Sequence, residues 1–212
     1  MTSRVILLAA MTVTAVLLSG CGGPVDDDSS PGTSVRVPSG AGEETEATPD
    51  PDSDGFPTCD EVKAALGDEV AELVEIADSE NGVSVGYDGP SLGCAWYTDE
   101  TASASTDLAA YGFISLGVSR DPTYTEQSME SLGWIVDDAR VAGIGAWALK
   151  PGGEYNPADQ LDATGVQVVK DGVIVVLTAS GVALQDVPEL GALTNEWAMR
   201  AGVAVLELME QQ

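Results

Sequence analysis

No aromatic side chain occurs before Phe56; all eleven Phe, Trp and Tyr residues of this 212-residue chain lie between Phe56 and Gln212. Ordering a backbone costs conformational entropy at every residue, and large apolar side chains are a main means of offsetting it. A core can therefore be built only from residues 56–212. That stretch is long enough to bury roughly 70% of the surface its unfolded chain would expose. Residues 22–55 have the opposite character, with nine acids, one base (Arg36) and five of the eleven prolines. Such a segment predicts a disordered acidic tether with an r.m.s. reach of about 30 Å.

Ahead of the tether stands MTSRVILLAAMTVTAVLLSGC. Arg4 and the amino terminus form a short positive region, and Val5 to Leu18 is uncharged and largely apolar. As a helix that run spans about 21 Å, short of the roughly 20 residues that cross a bilayer. It fits the apolar region of a secretory signal over residues 1–20. Leu18-Ser19-Gly20-Cys21 resembles the bacterial lipobox, in which the Cys becomes the mature N-terminus and carries the lipid. The expectation is a chain lipidated at Cys21, tethered over residues 21–55 and held on the outer face of the cytoplasmic membrane. One acyl chain binds only marginally, whereas the two or three chains of such lipoproteins anchor durably.

Cys59 and Cys94 are the thiols that remain. Outside the membrane disulfides persist, so an even pair predicts one bridge. The spacing lacks the C-x-x-C form that marks a redox pair.

Local patterns give the domain its elements. Thr58 to Leu66 predicts a short helix opened by the capping box Thr58…Glu61 and stopped by Gly67. Asp68 to Ala77 is ambiguous between helix and strand, and Asn81 to Ser91 is rich in turn residues. Gly93–Thr98 and Ala110–Ser119 predict strands, and Thr123–Leu132 a helix. Trp134–Val141 and Gly145–Leu149 predict a strand pair around Ala142-Gly143-Ile144. Asp171-Gly172 is a strong hairpin signal between Gly165–Lys170 and Val173–Ala179. Pro188–Met209 predicts the longest helix, with Leu190, Leu193, Trp197, Ala201, Val205 and Leu208 at three- and four-residue steps. Strands in the middle and helices at both ends predict a single α+β domain over 56–212: a mainly antiparallel sheet backed by N- and C-terminal helices.

Taken together, the lipobox, the acidic tether, the Cys59-led helix, Gly93-Cys94-Ala95-Trp96, and the turn Val141-Ala-Gly-Ile-Gly-Ala-Trp-Ala148 resemble the actinobacterial lipoproteins grouped as domain of unknown function 3558. The resemblance implies a cell-envelope lipoprotein with no assigned reaction and no catalytic residues to carry over. Residues Asp68 to Ile76 depart from it, being more acidic and more helical in pattern.

Charge and composition exclude several classes of function. A net charge of −27 argues against nucleic acid as a partner. The chain has no His, which removes Ser-His and Cys-His catalysis and His-ligated zinc. Gly143-Ile-Gly145-Ala-Trp-Ala148 matches a dinucleotide fingerprint in letters only, because Lys150-Pro151 follows too soon for the required helix. Asp50-Pro-Asp52-Ser-Asp54-Gly55 with Glu61 matches a calcium-loop pattern, but Pro49 blocks an entering helix and Glu61 has its capping role. Asp137-Asp138 beside Arg140 is the place to look for paired-carboxylate glycan hydrolysis. Trp134 and Trp147 are candidates for sugar stacking, and Trp96 and Trp197 for the core. No catalytic residue, metal ligand or cofactor is assigned. The expected partners are the membrane, through the lipid, and an envelope protein or small ligand. A glycan hydrolase and a calcium-binding surface protein are the alternatives.

Overall fold

The structure is a computed structural model and describes residues 55–76, 81–86 and 89–212. Cys21, the tether and Asp50–Asp54 of the calcium-loop pattern lie outside the described residues.

Seven strands form one antiparallel sheet: β1 (Gly82–Gly86), β2 (Gly89–Tyr97), β3 (Gly112–Arg120), β4 (Ile135–Val136), β5 (Trp147–Leu149), β6 (Val166–Lys170) and β7 (Val173–Gly181). Their spatial order is β1-β2-β3-β7-β6-β5-β4. Successive side chains on a strand point to opposite faces, so register decides what each face is made of. Across β2, β3 and β7 the rows Leu92–Val118–Val175, Cys94–Leu116–Leu177 and Trp96–Ile114–Ala179 face one way and are buried. The intervening rows Gly93–Gly117–Val176, Ala95–Ser115–Thr178 and Tyr97–Phe113–Ser180 face the other way and are half-buried. One face thus carries the core and the other is a floor of small side chains, with Tyr97 and Phe113 in contact at 5.5 Å between ring centroids.

The helices are α1 (Cys59–Leu66), α2 (Asp99–Ala102), α3 (Glu126–Glu130), α4 (Ala139–Gly143) and α5 (Asn195–Met209). Of these, α1, α4 and α5 supply buried residues to the core on the apolar face. Thr58 caps α1 through the predicted capping box. Thr194 caps α5, whose buried face (Trp197, Ala198, Ala201, Gly202, Val205) lies on β6 and β7 and touches α1 and α4. A smaller apolar cluster sits apart, with Leu149, Val169 and Ile174 under Tyr124, Trp134 and Trp147. Among the described residues no helix is long and apolar enough to cross a membrane.

The α+β class, the antiparallel sheet, the terminal helices and the Cys59–Cys94 disulfide agree with the sequence. Several boundaries do not. Asp68–Val70 is a single 3-10 turn, and beyond it Val74 bridges Tyr97, so this segment is neither a full helix nor a full strand. The turn-rich stretch at 81–91 contains β1 and the start of β2. The helix expected over 123–132 shrinks to α3. Asp138, read as part of a strand, accepts from the Arg140 and Val141 amides and starts α4 between β4 and β5. The last helix begins at Asn195, because Pro188–Leu190 forms a separate 3-10 turn before Thr194 resets the backbone.

Candidate functional site

The N-terminal edge of the domain is fastened at three points. The Arg120 guanidinium donates to the Gly55 carbonyl at 2.7 Å and lies 4.6 Å from the centre of the Phe56 ring. Phe56 and Pro57 are buried beneath it. Thr58 and Glu61 then close the capping box, the Glu61 carboxylate accepting from the Thr58 amide at 2.8 Å. Cys59, the first residue of α1, is bonded to Cys94 in the middle of β2, with a Cα–Cα distance of 5.6 Å. The bridge locks the first turn of α1 onto β2.

On the far side of β2 lies β1, where Val83 stands opposite Leu92. Asn81 begins this strand by imitating a peptide group. Its Oδ1 accepts from the Ala95 amide at 2.8 Å and its Nδ2 donates to the Ala95 carbonyl at 3.2 Å. Between α1 and β1 opens a cleft of about 360 Å³. Phe56, Cys59, Val83 and Leu92 supply its apolar lining, and Asp60 and Glu75 stand at its exposed rim. An apolar recess beside rigid backbone, with charge at the mouth, suits a binding site better than a reaction centre.

Electrostatics sharpen the picture. Residues 56–212 contain six bases and 26 acids. Every one of those bases is engaged. Lys63 donates to the Leu73 carbonyl and Arg120 to that of Gly55. Arg140 pairs with Asp138 and Glu196, Lys150 with Asp162, Lys170 with Glu210, and Arg200 with Glu69. The surplus acids, Asp60 and Glu75 among them, face solvent with no cation from this domain bound to them among the described residues.

The carboxylates with displaced pKa values all move down. Glu61 is held low by the Thr58 amide and hydroxyl, Asp121 by Thr123, and Asp138 by Arg140. Burial raises Asp162, but hydrogen bonds from Thr164 and the Lys150 ammonium outweigh it and bring the value to about 2. A glycosidase general acid needs the reverse, a carboxyl raised toward neutrality. Asp138 serves as cap of α4 and as ion-pair partner of Arg140. Glu72, Asp99, Glu100 and Glu189 border a recess of about 440 Å³, yet among the described residues no group of three or more acids or cysteines is placed to hold a metal ion.

The Gly143-Ile-Gly145 turn closes α4, with Gly145 at a φ of 72°. Trp96 and Trp197 are buried in the core, whereas Trp147 stacks on Tyr124 at 5.6 Å and is half-buried. The cleft has little signature in the sequence. Its one local signal is the alternation Gly82-Val-Ser-Val-Gly86, a strand pattern hidden by its glycines. Comparison of the chain with protein-family models, curated proteins and solved structures finds no match.

Proposed function

We propose that this chain is a lipid-anchored extracytoplasmic protein of the bacterial cell envelope, and that its folded domain is a non-catalytic binding module working through the cleft between α1 and β1. The observation that carries the reading is the Cys59–Cys94 disulfide, whose Cys59 belongs to the lining of that cleft. A structural disulfide of this kind persists where the lipobox sequence would send the chain. Its position gives it a functional meaning as well, because it holds the apolar lining in place without a ligand and so lowers the ordering cost of binding. The sequence resemblance to the actinobacterial lipoproteins of unknown function points the same way.

The test is fractionation of cells making the full chain or its Cys21→Ser variant. The lipidated chain should incorporate labelled fatty acid and sediment with membranes, and the Ser variant should incorporate none and leave the membrane pellet. Equal retention of both chains without label would overturn the anchor.

A further inference from the structure

The two edges of the sheet are treated differently. At one edge β4 has only two residues and is followed at once by Asp137 and Asp138. Short length and charge are the usual protections of an edge strand. At the other edge β1 has five residues, and Asn81 to Gly86 contains no charged residue and no proline. Among the described residues β1 is hydrogen-bonded only to β2, which leaves its outer row of N–H and C=O groups open. Val83 and Val85 project on the helix side of the strand. Val83 lines the cleft, while Val85 is 69% exposed just beyond it. An open edge and an apolar recess thus lie side by side, which is the arrangement used when an extended peptide adds to a sheet.

We propose that β1 takes up an extended, lysine- or arginine-rich segment of a partner protein as an eighth strand, with one large apolar side chain of that segment seated against Phe56, Val83 and Leu92. The proposal rests on the binding-module reading and names its partner. Charge selects the occupant. The chain's own residues 22–55 carry nine acids against one base, and they would meet Asp60 and Glu75 at the rim. A second copy would bring another −27 to the same edge. A cationic segment instead meets rim carboxylates that the domain's own bases leave uncompensated.

The test uses the full-length chain extracted in detergent and a fluorescent peptide, Lys-Val-Lys-Phe-Lys-Val-Lys. Two controls are its all-Glu counterpart and a form N-methylated on alternate amides, which keeps charge and side chains but cannot pair along one edge. The expected result is binding of the Lys peptide with slowed amide exchange in Gly82–Gly86. N-methylation should weaken it about tenfold or more, and the Asp60→Lys/Glu75→Lys variant should move the preference to the Glu peptide. Both rim residues are exposed, so the variant should keep its fold, checked by circular dichroism. Equal binding of the N-methylated peptide would mean charge adsorption alone and overturn strand addition. Self-association of the chain blocked by Val85→Lys would assign the edge to a second copy and overturn it too. Protection mapped to another surface would overturn the edge site and leave the binding module standing. Loss of the Cys21 anchor would leave the peptide result untouched.

Discussion

Placing a methyl group at Gly202 tests how closely α5 is seated on the sheet. A Cβ there would lie 2.5 Å from Val168 Cγ2, 3.0 Å from Val168 Cβ and 3.7 Å from Leu177 Cδ1. Val168 is fully buried on β6 and, being β-branched, has little freedom to turn away. On an isolated helix Gly→Ala gains about 1 kcal/mol. Overpacking a tight core costs about 1–3 kcal/mol, and two atoms of a stiff neighbour inside contact distance place this site in the upper half of that range. The net expectation for Gly202→Ala is a loss of about 1–2 kcal/mol, or a fall in Tm of roughly 3–6 °C for a domain of this size. Urea unfolding followed by tryptophan fluorescence measures it. In a Val168→Ala background the clash is gone, so the same substitution should become neutral or stabilising, a coupling of about 2 kcal/mol. A more stable Gly202→Ala in the otherwise unchanged chain would refute the close approach of α5 to β6.

Two further perturbations address the staple and the buried cation. Reducing the disulfide, or the Cys59→Ser/Cys94→Ser variant, should cost about 3–4 kcal/mol in urea unfolding and loosen amide exchange first around α1 and β1. Unchanged stability would mean that the bridge constrains nothing. Asp162 has a folded-state pKa of about 2 against an ordinary 3.8, so its stabilising contribution is complete above about pH 4 and is lost as the pH falls through about 2. Asp162→Asn should therefore be destabilised at pH 7, where buried Lys150 loses its counter-charge, with the gap to the unmodified chain closing toward pH 2. A gap independent of pH would show that the ion pair is not its source.

The parts of this fold legible in the sequence are those decided within a few residues. The capping box of α1, the alternation of β2 and β3, and the Asp171-Gly172 hairpin, whose two residues take φ values of 49° and 78°, are local signals with local outcomes. What misled was periodicity that reports burial rather than helix. Leu190 and Leu193 are buried like the residues of α5, yet they reach the core from a 3-10 turn and the loop before Thr194. Asp138 looked like a strand residue because its neighbours Ile135 and Val136 are one, and only its side-chain bonds to the Arg140 and Val141 amides reveal a helix start. The cleft forms where α1, bonded through Cys59 to Cys94 of β2, lies near β1, a long-range event. Cys59 and Cys94 could be paired by the compartment argument, but no local pattern says that Phe56, Val83 and Leu92 meet around them.

The chemistry of residue 21 decides whether this domain is held on a membrane. Arg36 is the first base after Cys21, so trypsin would release Cys21–Arg36 as one peptide from a chain that is processed at Cys21. Mass spectrometry of that peptide from cell membranes should find Cys21–Arg36 carrying two or three acyl chains. An unmodified peptide, or one that runs intact from Val5 to Arg36, would contradict the lipid anchor and, with it, the compartment in which this disulfide-bonded module is placed.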